Sequence, residues 1–436
     1  MDGVRLVRTG TLLALFAAGL VTLGGCSRDA GTGGKSVAVA TRDGPYAKEV
    51  GDAVPRIEKA VGLKFKTPPK VERRSKDEVR SFLVQKFNES MPTAEITGIE
   101  RTYRRLGLIS DTLQLRPFML ELLTEQVVGY YDPATKVLYV VDGADPATVN
   151  VTVTHELIHA LQDQYLNLDS IQKITGDNDR QVAAQAVIEG QATYEQVQTM
   201  LGSNNLAATL PGGWERIRDM IRDGQSQMPV LSSAPMIIQE TLIFPYLSGA
   251  EFMRHYDETR PGKVPFAEMP LSTEQILHTS AYFERPDTPT VVTLPEIGGG
   301  AKSVYSNNLG EFETRLFLFQ HLQDQNAAIR GAAGWDGDRF VLFETKGGDG
   351  IAWVTLWDSK IDAGEFFDLV DTSILKRFRN AKPRAATSEA HTYDVGGRTI
   401  QVTTAEVDGR PLVMYLDVPT GAPTDVLDLS KVTIRQ

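Results

Sequence analysis

A chain of 436 residues that is 42% hydrophobic, with 17 Phe and four Trp, has ample material for a folded core and for more than one lobe. Its formal net charge of −11 and its lack of basic clusters interleaved with aromatics argue against nucleic acid and against electrostatic attraction to a membrane. No GxxxxGKS/T loop, no GxGxxG after a strand and no CxxC pair occurs, which leaves nucleotide binding and cysteine-held zinc without support.

The N-terminus reads as an export signal over residues 1–25. Arg5 and Arg8 precede an apolar run at 11–23, and Gly24-Gly25 supplies small residues before a cut. That apolar core is shorter than the roughly 20 residues a spanning helix needs. Leu23-Gly24-Gly25-Cys26 resembles the lipobox of bacterial lipoproteins. The resemblance implies that Cys26 becomes the mature N-terminus, is lipidated, and anchors the protein at the extracytoplasmic face of the bacterial cell membrane. Cys26 is the only cysteine, which fits an oxidising exterior.

Residues 26–44 are small and polar and form a tether. A first domain is expected over 45–297. It opens with an amphipathic helix at 46–61 that Pro55 should kink or delay, followed by a short strand at 70–74. Ser75-Lys76-Asp77-Glu78 has the form of a capping box for a helix through residue 87, and further helices fit 93–106 and 112–126. Two β-branched and aromatic runs at 127–131 and 136–141 flank the turn sequence Asp132-Pro133-Ala134-Thr135, a hairpin whose exposed edge could pair with an extended peptide.

Asp145 and Pro146 then start the helix that carries the chemistry, expected to run to residue 168. It contains His155-Glu156-Leu157-Ile158-His159. Residues four apart lie one turn above each other on one helix face, so both imidazoles can hold one zinc ion. Glu156 lies one step round the helix, where a general base is needed. With six histidines in the chain, this spacing is rarely accidental.

A second helix, capped by Asn178 or Asp179, should reach residue 200. Val182, Ala186, Glu189, Thr193 and Val197 form one stripe on it. A carboxylate in an apolar stripe must be paired or bound to a metal, which makes Glu189 the third zinc ligand. Gly190 beside it allows another helix to come close. Asp163, one turn past His159, is placed to orient an imidazole, whereas Glu195 and Gln191 fall on the polar side.

His155-Glu156-x-x-His159 followed by Glu189-Gly190-Gln191-Ala192-Thr193 resembles the gluzincin branch of the zincin metallopeptidases. The longer pattern from Gly129-Tyr130-Tyr131-Asp132 to Ser272-Thr273-Glu274-Gln275-Ile276-Leu277-His278 is similar to a group of little-characterised bacterial metallopeptidases. The resemblance implies a zincin-like α+β core, rich in helices, with a small sheet and edge hairpin. It also implies two histidines and a downstream glutamate around catalytic zinc. Many gluzincins place an aspartate where this chain has Thr193, so Thr193 and Asp163 are the positions to inspect behind the ligands.

Ile243-Phe244-Pro245-Tyr246, in a long apolar helix, should line the core or the cleft wall. Ser272-x-x-Gln275 opens a short helix on which His278 and Tyr282 share a face. His278 is the candidate oxyanion donor with a structural histidine as the alternative, and Tyr282 and Tyr130 stand behind it. Gly298-Gly299-Gly300 marks a boundary before a C-terminal α+β accessory domain over 301–436. There a helix is expected at 311–323, strands at 339–344 and 351–358, a helix at 362–378, and strands at 399–405 and 411–417. Trp335-Asp336-Gly337-Asp338 lacks the ligand spacing of a calcium loop and reads as a turn.

The sequence thus predicts a zinc-dependent peptidase acting on extracytoplasmic proteins or peptides. The alternative is a non-catalytic zinc- or peptide-binding envelope lipoprotein on the same scaffold.

Overall fold

The apolar face of the first helix, α1 (Ala47–Val61), buries Val50, Ala53, Val54, Ile57 and Val61, and it runs through Pro55 without interruption. The structure is a computed structural model that describes residues 44–436 except 126, 172–173, 202–212 and 380. The export signal, Cys26 and the tether up to residue 43 lie outside the described residues, as do Pro211 and Gly212. Among the described residues no helix is long and apolar enough to cross a membrane.

Strand β1 (Lys70–Arg74) leads into α2 (Lys76–Ser90), whose capping box forms as read: Glu78 N–H donates to Ser75 Oγ, and Ser75 N–H donates to Glu78 Oε2 at 2.8 Å. Helices α3 (Thr93–Leu106) and α4 (Leu115–Thr124) follow, the latter shorter than expected. The hairpin is β2 (Gly129–Asp132) and β3 (Val137–Val141). Its turn is set by the Asp132 carboxylate, which accepts from Ala134 N–H and Thr135 Oγ1. β3 is the centre of a three-stranded sheet, with β1 parallel on one side and β2 antiparallel on the other.

The helix that carries His155 and His159, α5 (Pro146–Gln162), is buried all round from Val151 to Gln162. It ends six residues before the expected position because Gln164 and Tyr165 are drawn sideways. Lys66 N–H and Thr67 N–H donate to Gln164 Oε1, and Tyr165 donates to the Lys64 carbonyl at 2.6 Å. After the short α6 (Leu168–Ile171), α7 (Asn178–Leu201) lies against α5 and against the long helix Met236–Thr259. That last contact is backbone on backbone: a Cβ at Gly190 would stand 2.2 Å from the Gly249 carbonyl carbon.

The C-terminal part is an antiparallel sheet of seven strands in the order β5-β6-β7-β11-β10-β9-β8. These are β5 (Lys302–Asn307), β6 (Trp335–Thr345), β7 (Gly348–Trp357), β8 (Pro383–Ala386), β9 (Ala390–Val395), β10 (Arg398–Val407) and β11 (Arg410–Pro419). Helices Gly310–Leu322, Gln325–Ala332 and Lys360–Arg377 pack on one face through Phe317, Phe366, Trp353 and Trp357. A two-stranded pair, β4 (Val291–Thr293) with β12 (Thr433–Arg435), closes the other face through Val292 and Ile434. The Trp335–Asp338 segment begins β6 and is not a turn. The fold is mixed α+β.

Gly299 and Gly300 do make a turn, at φ 64° and 71°. The apolar core nevertheless passes that point without a break, since one cluster joins Val79, Val182 and Tyr246 to Phe317, Trp353 and Tyr415. The half that carries the histidines also borrows polar caps from the other. Asn307 Oδ1 and Asn308 Oδ1 accept from Asn178 N–H and Asp179 N–H, satisfying donors that the start of α7 leaves open. The C-terminal unit therefore positions the helix that carries Glu189.

Candidate metal centre

His155 and His159 project from successive turns of α5, and Glu189 meets them from α7. Their Nε2 atoms are 3.1 Å apart, and each lies 3.3 Å from Glu189 Oε2. Tetrahedral ligands bound to zinc at ~2.0–2.1 Å stand about 3.3 Å from each other, so the triangle has the edge length of a zinc tetrahedron. These three residues form a group able to hold a metal ion, and one corner of the tetrahedron is left for another ligand.

The surroundings fix how the donors face. Gln162 Nε2 donates to the Ile188 carbonyl and to Gln191 Oε1, which turns Gln162 Oε1 toward His159 Nδ1 at 2.8 Å. His159 must donate from Nδ1 there, leaving the Nε2 lone pair for a cation. Gln196 stands beside His155 with its amide nitrogen donating to the Val151 carbonyl at 2.8 Å, but its Oε1 is buried and makes no hydrogen bond. Gln162 takes the orienting role on His159 that was expected of Asp163 and Thr193. Asp163 instead ties the hairpin to the end of α5, accepting from Tyr131 Oη at 2.7 Å and Lys136 Nζ at 2.6 Å. Thr193 is buried and its Oγ1 has no hydrogen-bond partner.

Glu156, next to His155 on α5, is buried. Its Oε2 accepts from Tyr131 N–H at 2.7 Å, while Oε1 is buried and unpartnered. Burial raises its carboxyl, and Glu189 adds to this against the pull of His159, so it is pushed up to about 7. Burial opposes a charge on His159 as well, but Glu189 and Glu156 outweigh it and raise this imidazole to about 9. Burial, with the charge on His159, lowers His155. Burial also opposes the charge on Glu189, yet the two imidazoles hold its carboxyl below the usual range. The direction of these shifts favours a proton on His159 whenever no cation is bound.

Binding zinc at pH 7 must expel that proton. About one proton should leave per ion, and affinity should rise about tenfold per pH unit up to about pH 9. Calorimetry in buffers of different ionisation heat counts the protons, and zero release would show that none occupies the triangle.

Tyr246, on the helix Met236–Thr259, is marked by the sequence only as wall. Its ring centroid lies 6.3 Å from that of His155, and its buried hydroxyl faces Glu189 without a well-formed hydrogen bond. Nothing in the one-dimensional pattern ties it to the histidines, because its approach depends on the packing of two distant helices. His278 is not part of this group. The helix Thr273–Leu277 stops just before it, and its Nε2 pairs with Glu311 Oε1 at 2.8 Å. Tyr282 lies on a separate helical turn (Ser280–Phe283), packs on Phe252 and donates to the Glu268 carbonyl. Tyr130 stacks on Phe82, on the far face of β2 from Tyr131. Glu195 and Gln191 are buried, so α7 has no polar side here.

A family model described as a domain of unknown function (DUF8575) matches residues 299–427, which is the seven-stranded unit and not the half that bears the histidines. No curated protein and no solved structure matches the chain.

Proposed function

We propose that the protein is a gluzincin-type zinc peptidase that hydrolyses peptide bonds of extracytoplasmic proteins or peptides, held at the bacterial membrane surface through Cys26. The observation that carries this reading is the bare Oε1 of Glu156, buried beside the candidate ligands His155, His159 and Glu189. A buried carboxylate oxygen with no partner is costly, and a site that only holds metal has no need of it.

His155, His159 and Glu189 would hold the ion. Zinc there supplies a Lewis acid for the scissile carbonyl and makes water acidic enough to attack at neutral pH. Tyr131 N–H fixes one oxygen of Glu156, so the other can take a proton from the attacking water and pass it to the leaving amine. Tyr246 replaces His278 as the donor for the developing oxyanion, with a hydroxyl that has no other partner to give up.

Burial favours a second reading. His155, Glu156, His159 and Glu189 are between 1% and 4% exposed, and α1 packs across α5 and α7. A peptide reaches the site only if these elements part, whereas a metal that clamps α5 to α7 in a non-catalytic envelope protein needs no such opening. Incubating the mature protein with a broad peptide library, with and without chelator, separates the two. Chelator-sensitive cleavage at defined sites supports the peptidase. Stoichiometric zinc with no cleavage of any peptide would leave the clamp.

A further inference from the structure

Away from the histidines, Glu274, Asp287 and Asp358 bring carboxylate oxygens within 4.8 Å of one another. They come from three segments: the helix Thr273–Leu277, the loop before β4, and the residue after β7. The group therefore spans the seam between the metal-bearing half and the seven-stranded sheet. Acidic residues often cluster at a surface without binding anything, but one of these is not at the surface. Glu274 is only 6% exposed, its Oε2 is buried with no hydrogen-bond partner, and its carboxylate brings an oxygen within 4.8 Å of both other carboxylates.

The nearby positive charge is already committed. Arg410 makes its close contact with Asp336, at 2.7 Å, and stands 3.9 Å from Asp358. Glu311, which also repels Glu274, is taken up by His278 and Arg315. Burial, then Glu311, Asp287 and Asp358, oppose a negative charge on the Glu274 carboxyl, a cost that a bound cation would offset.

We propose that Glu274, Asp287 and Asp358 form a calcium site that fastens the two halves of the molecule together. The donors are all hard oxygens, with no imidazole or thiolate, which suits calcium or magnesium over zinc. Three carboxylates from independent segments favour calcium, because magnesium keeps most of its water and takes one or two carboxylates in an octahedral frame. Asp358 and Asp287 are partly open to solvent, so water completes the shell. The site also bears on the zinc-binding half: Thr273, next to Glu274, donates through N–H and Oγ1 to Asp179 at the start of α7.

The test uses the full mature chain with its zinc site filled. Calcium chloride is titrated up to about 10 mM, the range of weak extracellular calcium modules, while melting temperature and binding heat are followed. One calcium should bind per chain and the melting temperature should climb with its concentration, with magnesium giving a smaller shift. Asp358→Asn, at an exposed position that tolerates the change, should weaken calcium binding by about tenfold or more and leave zinc content unchanged. Glu274→Gln should raise the calcium-free melting temperature and remove the calcium response. The proposal fails if calcium gives neither heat nor a melting shift, or if both persist undiminished in Asp358→Asn and Glu274→Gln.

Discussion

Glu156→Gln should keep its zinc and lose peptide turnover by roughly 10²–10⁴-fold, the range removed when a positioned general base is deleted. Glutamine has the same shape, and its amide oxygen can still accept from Tyr131 N–H, so helix α5 and its packing need not change. What disappears is an oxygen able to take a proton at Oε1. The ligand set is untouched, because the metal group consists of His155, His159 and Glu189. His155→Ala should behave in the opposite order, losing the metal first and activity as a consequence. Metal content by mass spectrometry alongside cleavage rate distinguishes the two variants. A Glu156→Gln variant that cleaved as fast as the parent would show that the base lies elsewhere.

The parts of this site that sequence reveals are those set by helix geometry alone. His155 and His159 are one turn apart within a single helix, and Glu189 is found because an apolar stripe isolates a carboxylate. Two of the inferences that failed assumed that a helix continued. Asp163 lies one turn beyond His159 only if α5 goes on, but α5 ends at Gln162 and the side chain swings to the hairpin. His278 and Tyr282 share a face only on a single helix, whereas the chain breaks between Leu277 and Ser280. Gln162 was within reach, three residues past His159, although uncharged amides carry little weight in a search for ligands.

In the C-terminal unit, the central strands β6, β7, β10 and β11 were legible from their apolar runs. β8, exposed throughout, and β5, exposed over its first half, have no buried face to generate alternation. The expected split at residues 298–300 followed from glycines, but composition cannot show that Asn307 and Asn308 reach back to cap α7.

Gly249→Ala should destabilise the fold by about 3 kcal/mol or more and weaken zinc binding with it. A Cβ at residue 249 would stand 2.0 Å from the Ala186 carbonyl oxygen and 2.8 Å from its carbon. Both are backbone atoms of α7, so no rotamer change can make room and the two helices must separate. Ala186 lies one turn before Glu189, and Tyr246 lies one turn before Gly249, so the same displacement loosens the third ligand and withdraws the hydroxyl beside it. Gly364→Ala is the control, since a Cβ there meets nothing within 4 Å in the helix Lys360–Arg377. It should stabilise by roughly 0.5–1 kcal/mol through helix propensity alone. Thermal melts and zinc titrations on the pair separate a steric effect at the helix contact from the general effect of adding a methyl group. Equal melting temperatures for Gly249→Ala and the parent would mean that α7 and the Tyr246 helix do not meet backbone to backbone, and Tyr246 would then lose its place beside Glu189.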